Sequence, residues 1–228
     1  MLTISVGDSI DLEVNKKVFQ LYHQLLKNRN SSWLDIIPAY TTVSIVFDAL
    51  SIRQQHPSAF EWMKNQLEKL MLETPEHETI PSRTVQIPVC YDEEYALDAD
   101  RILKEKNVSL EELIEVHSSK SYHVFMIGFL PGFAYMGPVD PRIATPRIPT
   151  PRTQIVAGSV GIAGEQTGIY PLSSPGGWNI IGRTPLKVFD PNSTQPVLFQ
   201  TGDQVKFIPI TKEEFKSFDH STLNVIVS

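Results

Sequence analysis

Three Pro-Arg pairs recur every five residues, at Pro141/Arg142, Pro146/Arg147 and Pro151/Arg152. In an extended polyproline-like chain, a five-residue step rotates a side chain by about 240°. The three guanidinium groups are therefore expected to point in different directions and to do different work. One would face an anionic ligand, one would pair with Asp140 or Glu165, and one would be exposed. Arginine suits the first task because its planar fork matches the two oxygens of a carboxylate or phosphate. A proline-rich ligand for an SH3-like domain is the alternative reading of the same segment.

Downstream lie two glycine segments, GSVGIAG from Gly158 and SPGGW from Ser174. Their glycines allow positive φ and close backbone approach, so their N–H groups could line an anion-binding nest; tight barrel turns demand glycine equally. Gln166, Thr167, Tyr170, Ser174 and Trp178 add uncharged donors and a flat apolar wall, suited to a small polar amide, although Tyr170 and Trp178 read equally well as core. His117 ends a predicted helix, where the dipole favours a cationic imidazole, and it reads as a capping or packing residue or as a catalytic one. The candidate set is thus His117 for catalysis and Arg147, Arg152, Ser159, Gln166, Thr167, Tyr170, Ser174, Gly176, Gly177, Trp178 and Arg183 for binding. There is no GxxxxGK phosphate loop and no closely spaced His/Cys/Asp set for zinc.

The formal net charge of −6 over 228 residues argues against nucleic acid as a partner. Yet the stretch Ser121–Asp190 is net positive, with Arg142, Arg147, Arg152, Arg183 and Lys187 against Asp140, Glu165 and Asp190. An electropositive segment in an acidic chain points to a small anionic ligand or an acidic partner surface. No apolar run approaches the roughly 20 residues that span a bilayer, and the start lacks a basic segment followed by an apolar one. A single cysteine, Cys90 in the strand-like IPVCY, reads as a packed hydrophobe in a reducing compartment. A cytoplasmic location without membrane contact is expected.

The elements that must position these residues fall into two predicted domains, 1–80 and 81–228. The first reads as small α/β: LTISV and TTVSIVFDAL as strands, a helix over Leu12–Lys27, and a second helix in FEWMKNQLEKLM. Val14, Val18, Leu21 and Leu25 form the buried stripe of the first helix. The charged, Pro-containing segment Glu73–Ser82 reads as a linker. Beyond it come the strand VQIPVCY and helices around Ala96–Glu105 and Ser109–His117, the latter with a capping-box pair at Ser109 and Glu112. Ten of the 12 glycines then lie between Gly128 and Gly182, and ten of the 17 prolines between Pro131 and Pro191. Helices do not persist through that density, so the short β-branched runs left over predict a β-barrel or sandwich with long ordered loops. The fold class is α+β.

Four ordered segments carry a resemblance: GFLPGFAYMG (128–137), DPRIATPRIPTPR (140–152), AGSVGIAGEQTGIYP (157–171) and SPGGWNIIGRTPLKVFDP (174–191). They resemble the blocks shared by the B-type subunit of bacterial 5-oxoprolinase, the first subunit of allophanate hydrolase and the Kip-type inhibitors of sporulation histidine kinases. The match runs nearly without gaps from about His117 to Pro191. The resemblance implies a cyclophilin-like β-barrel domain preceded by a small α/β domain. It implies a homologous second subunit, the C-type subunit of 5-oxoprolinase, together with a lactam-hydrolase subunit and ATP shared among the subunits, with magnesium. The reaction implied opens the lactam of 5-oxoproline to glutamate, and the chain alone is expected to be inactive. Allophanate hydrolysis is the sibling reading, and inhibition of a sensor histidine kinase through an exposed apolar patch is the regulatory one. Two departures stand out. Family members commonly have an extra strand before the segment that starts at Gly7, and Gln154 and Val156 occupy positions where Arg and Pro are common.

Overall fold

The computed structural model describes residues 1–72, 83–219 and 225–227. The linker expected at Glu73–Ser82 lies outside the described residues. Two compact units, Met1–Pro81 and Ser82–Ser228, divide the chain.

The first unit contains β1 (Leu2–Ser5), α1 (Leu12–Lys27), β2 (Trp33–Pro38), β3 (Thr42–Phe47), α2 (Ala49–Arg53) and α3 (Ala59–Leu72). Its antiparallel sheet has the order β1-β3-β2, with β1 at an edge. Helix α1 starts where Asp11 accepts hydrogen bonds from the backbone N–H groups of Glu13 and Val14, satisfying donors that have no intrahelical partner. It buries Val18, Leu21 and Leu25 as the spacing predicts, but Val14 is only half-buried. Asn15 is buried in its place, and its Nδ2 donates to the Tyr40 carbonyl at 2.9 Å.

Two elements are not legible in the sequence. Strand β2 carries Asp35 and Pro38 and shifts register between Trp33 and Asp35, so Trp33 and Ile36 are buried without a two-residue alternation. Helix α2 has five residues and begins where Asp48 caps the N–H groups of Leu50 and Ser51, which ends the preceding strand at Phe47. Val43 and Ile45 meet Met63 and Leu67 of α3 in one core cluster.

The second unit begins with β4 (Arg83–Cys90), α4 (Ala99–Lys106), α5 (Leu110–Ser119), β5 (Ser121–Ile127) and β6 (Ala134–Gly137). It continues with β7 (Arg152–Ile155), β8 (Ser159–Ala163), β9 (Gln166–Ile169), β10 (Ser174–Gly176), β11 (Asn179–Arg183), β12 (Gln204–Ile210), α6 (Lys212–Lys216) and β13 (Val225–Val227). Strand order β11-β8-β9-β6-β5-β12-β4 closes on itself through Arg183 of β11 opposite Cys90 of β4, a seven-strand barrel with β13 added beyond β4. Closure leaves inward-facing Val85, Ile87, Val124, Met136, Val160, Ile162, Val205 and Phe207 fully buried. Each such side chain stabilises the fold by roughly 1.5–3 kcal/mol relative to exposure.

Ser109 caps α5, its Oγ accepting from Glu112 N at 3.1 Å, as its position three residues ahead of Glu112 predicts. Cys90 is 1% exposed at the end of β4, and burial pushes its thiol up, in keeping with a packed hydrophobe. The LKVF run forms no strand and contributes one isolated bridge, Phe189 to Val197. Strands β7 and β10 pair with each other, apart from the barrel ladder. The segment between β6 and β7 carries Arg142 and Arg147 and reaches β7 at Arg152.

No helix among the described residues is long and apolar enough to cross a membrane.

Candidate functional site

A cavity of about 280 Å³ opens on the barrel unit where the β6–β7 segment meets β10. Its walls are aromatic: Phe129, Tyr135, Tyr170 and Trp178 line it. Beneath them Phe133, 1% exposed, packs edge-on against Tyr135, Tyr170 and Trp178 at ring-centroid distances of 4.9, 5.3 and 5.3 Å. Edge-to-face packing of this kind fixes ring orientation, so the walls are preorganised. Phe129 forms the lip. It is 62% exposed and sits at φ 68, with Leu130 N donating to Gly128 O across it at 2.8 Å. A γ-turn of that hand around an aromatic residue is strained backbone.

Arg147 is the cation of this cavity. Among the described residues no carboxylate pairs with it and no acceptor takes its N–H groups, whereas its neighbours in the series are engaged. Burial pushes the Tyr135 and Tyr170 hydroxyls above the ordinary phenol value, and the nearby Arg147 charge works against that rise in both. The nearby Trp178 backbone N–H also works against the rise at Tyr170, and no acceptor among the described residues takes the Tyr170 hydroxyl hydrogen, which leaves it to a ligand.

The segment bearing Arg147 is pinned on both sides. The Pro146 carbonyl accepts from Asn179 Nδ2 at 2.9 Å, and Ile148 N donates to Gly177 O at 2.8 Å. Asn179 is fully buried and also donates to Ile162 O at 3.0 Å, while its Oδ1 accepts from Arg101 Nη1 at 2.5 Å. These bonds join the arginine segment to β11, directly beside the Trp178 wall.

Of the three roles expected for the Pro-Arg arginines the structure shows two, because Arg142 and Arg152 each pair with a carboxylate, Arg147 lines the cavity, and none is merely exposed. The segment is not uniformly polyproline-like: Ile143 N and Ala144 N both bond Asp140 O at 3.0 Å, so the first pair lies in a turn. Arg142 grips Asp140 through Nε and Nη2 at 3.1 and 3.0 Å, and that bonding holds the Asp140 carboxyl down at about 2. Arg152 is bound to Asp98 by both Nη atoms. Arg147 alone faces the cavity.

The structure corrects the picture of His117 as a helix-end cation. The imidazole is fully buried inside the barrel and lines neither the aromatic cavity nor the one beside Arg183. Thr167 Oγ1 donates to Gly161 O at 3.0 Å, so it accepts from His117 Nε2 at 2.9 Å, and Nδ1 accepts from the Tyr91 hydroxyl at 2.7 Å. That bonding specifies the neutral Nε2–H tautomer. Desolvation dominates over the helix dipole and lowers the imidazole from 6.5 to about 3. His117 and Thr167 therefore form an internal polar link across the barrel.

Of the other candidates, Tyr170, Gly176, Gly177 and Trp178 join Arg147 at the cavity. Ser159 is buried in the β8 wall, Gln166 is half-buried at the start of β9, and Ser174 Oγ turns back to the Pro175 carbonyl at 3.2 Å. Arg183 lines a second cavity with Lys187. Gly177 has no positive φ, and a Cβ there would meet nothing nearer than Pro151 at 3.6 Å, so the strained turn expected of SPGGW is absent at this position. The demand for glycine falls on Gly176, where a Cβ would collide with the Tyr170 hydroxyl and lie 2.7 Å from Ile155. Phe129 and Tyr135 are site residues that the sequence reading does not pick out, although both lie in GFLPGFAYMG; two aromatics in a glycine-rich run are the available signal.

No group of three His, Cys, Asp or Glu that could hold a metal ion occurs among the described residues.

Comparison with known proteins agrees with this architecture. The chain is 38% identical over 221 residues to the B subunit of 5-oxoprolinase from Bacillus subtilis, covering 95% of this chain and 92% of that one. With the corresponding 5-oxoprolinase B subunit of Escherichia coli O157:H7 it shares 35% identity over 211 residues, 91% of each chain. The crystal structure of TTHA0988 superposes with a TM-score of 0.80 at 32% identity over 92% of this chain, which spans 39% of that longer one. The model of the carboxyltransferase domain, subdomain C and D, matches residues 1–199, and the chain belongs to that family.

Proposed function

We propose that this chain is a subunit of an ATP-dependent 5-oxoprolinase and that its aromatic cavity binds 5-oxoproline. The observation that supports this reading most directly is the unpaired Arg147 guanidinium at the mouth of a small, aromatic-walled cavity. At about 280 Å³ the cavity lies at the small end of ligand pockets, a size for a single ring rather than a nucleotide. 5-Oxoproline is a five-membered lactam bearing one carboxylate. Its carboxylate matches the Arg147 fork, its ring matches the faces of Tyr135 and Trp178, and its carbonyl oxygen is an acceptor for the Tyr170 hydroxyl.

The chain's own contribution is binding, orientation and exclusion of water. Arg147 holds the carboxylate, Asn179 keeps the backbone of Arg147 against β11, and Phe129 covers the ring from the solvent side. ATP supplies the activating phosphoryl group that an unreactive amide needs. One cation and aromatic walls do not fit a triphosphate, so the aromatic cavity is the lactam site. The partners in this reading are the homologous second subunit and a lactam hydrolase.

The test is reconstitution. The chain is purified alone and co-expressed with the homologous second subunit and the lactam hydrolase, and 5-oxoproline-dependent ADP release is measured. Activity confined to the reconstituted complex is expected. Full activity of the isolated chain, or a complex that turns over allophanate and leaves 5-oxoproline untouched, overturns the proposal.

A further inference from the structure

We propose that the second cavity of the barrel unit, walled by Arg183, Lys187 and Phe215, is a binding site for a phosphate-bearing ligand. This cavity measures about 330 Å³ and lies between the Ala157–Gly158 turn and the segment Thr184–Lys187 that follows β11. No carboxylate is among its lining residues.

Arg183 is anchored and unsatisfied at once. Its Nε donates to the Ala157 carbonyl at 3.1 Å, which orients the guanidinium, while no acceptor among the described residues takes its Nη groups. Lys187 is exposed on the same cavity and has no carboxylate partner among the described residues. By contrast Arg83, Arg101, Arg142 and Arg152 of this unit all pair with acids. Among the described residues, the arginines of this unit that lack an acidic partner are thus the two that line these cavities.

The two cavities call for different anions. Arg147 is a single cation among aromatic faces, which fits a monocarboxylate. Arg183 and Lys187 place two cations on one cavity, and a phosphate group carries about −1.5 to −2 at neutral pH with three acceptor oxygens. An ammonium and an oriented guanidinium fork match that charge and geometry. The cradle depends on Gly158, at φ +85, because a Cβ there would stand 2.6 Å from the Thr184 carbonyl and 3.6 Å from Arg183 Nε. Thr184 N in turn donates to Gly158 O at 2.9 Å, joining the two walls. Phe215, packed against Tyr95 with ring centroids 4.5 Å apart, gives the cavity one aromatic wall for whatever carries the phosphate.

This inference goes beyond the oxoprolinase reading, because it concerns binding by the chain itself. The test is calorimetric titration of the full chain with pyrophosphate, ATP and acetate. Saturable binding of pyrophosphate or ATP, well above acetate, is expected. Lys187→Gln should weaken it by about tenfold and Arg183→Gln by at least as much, whereas Arg147→Gln should leave it unchanged. Lys187 is exposed and holds no ion pair among the described residues, so its variant keeps the test valid if Arg183→Gln misfolds. A preference for ATP over pyrophosphate that Phe215→Ala removes assigns a nucleotide; equal affinities assign the bare phosphate group. No saturable binding, acetate binding as tightly, or an affinity unaffected by Lys187→Gln overturns the proposal. None of these outcomes depends on whether 5-oxoproline is turned over.

Discussion

The Asp98 carboxylate faces the Arg152 guanidinium fork to fork, its two oxygens 2.8 and 2.7 Å from Nη1 and Nη2. Asp98 is 7% exposed, and its Oδ2 also accepts the backbone N–H of Ile180 at 2.7 Å. One carboxylate therefore ties the start of β7 to the start of β11, next to Pro151 and Trp178 of the aromatic cavity. Removing the guanidinium would leave a buried charge with one remaining donor. Arg152→Ala is expected to cost roughly 3 kcal/mol of stability, read from urea unfolding followed by tryptophan fluorescence. A change below about 0.5 kcal/mol, the size usual for surface substitutions, would remove Arg152 from the structural frame.

Arg147 should behave in the opposite way. With no protein partner to lose, Arg147→Ala is expected to leave the unfolding midpoint unchanged. It should weaken 5-oxoproline binding by the reconstituted complex by about 10- to 100-fold, the worth of one charge-assisted fork. Arg147→Lys should lose nearly as much, because it keeps the charge without the fork. Competition binding with the substrate checks both variants; wild-type affinity in Arg147→Ala would place the carboxylate elsewhere.

Gly176 and Gly177 separate a packing requirement from a tolerant neighbour. Gly176→Ala pushes a methyl group into the Tyr170 hydroxyl and Ile155, and should cost about 1–3 kcal/mol as well as ligand affinity. Gly177→Ala meets only Pro151, at ordinary contact distance, and should fold and bind like the parent. Thermal melts of the two variants side by side would show whether the order is reversed.

Phe129 carries backbone strain on an exposed side chain, a combination that folding alone does not explain. Replacing it with glycine relieves the left-handed φ but enlarges the unfolded ensemble, and the two effects are of similar size. Phe129→Gly is therefore expected to change stability by less than about 1 kcal/mol. It should weaken retention of the lactam, measured as a faster dissociation rate. Unaltered binding kinetics would show that the lip does not cover the site.

The buried imidazole of His117 makes stability depend on pH. Its folded value, about 3, lies below the unfolded value near 6.5, so the unfolded chain takes up the proton first as pH falls. Stability from this group is complete above about pH 6.5 and declines from there toward pH 3. Between pH 7 and pH 5 the loss should approach about 2 kcal/mol. Urea titrations at both pH values, with His117→Gln for comparison, would test this: the variant should lose the part of the slope due to this group. An equal slope in both proteins would mean that His117 is not buried neutral.

Much of the frame follows from local sequence. The boundaries of α1, the Ser109 cap of α5 and the β-character of the glycine- and proline-rich half are set by propensity, capping and the steric limits of proline, which act within a few residues. The Arg142–Asp140 pair is also foreseeable, because its partners are two residues apart. Strand β2 escapes because its register shift breaks the alternation that marks a strand, and α2 because five residues show no period.

The site itself is decided by closure of the barrel. Asp98 and Arg152 are 54 residues apart, and His117 and Thr167 are 50, and no local pattern announces either pair. Closure gathers Phe129 and Tyr135 with Tyr170 and Trp178, sends Arg183 to a different cavity, and buries an imidazole that its helix position alone would have charged. It also chooses Gly176 over Gly177 as the glycine with no room for a side chain. In each case residue type is written in the chain, but the role depends on which atoms the folded barrel brings within a few ångströms, and that depends on strand order and register.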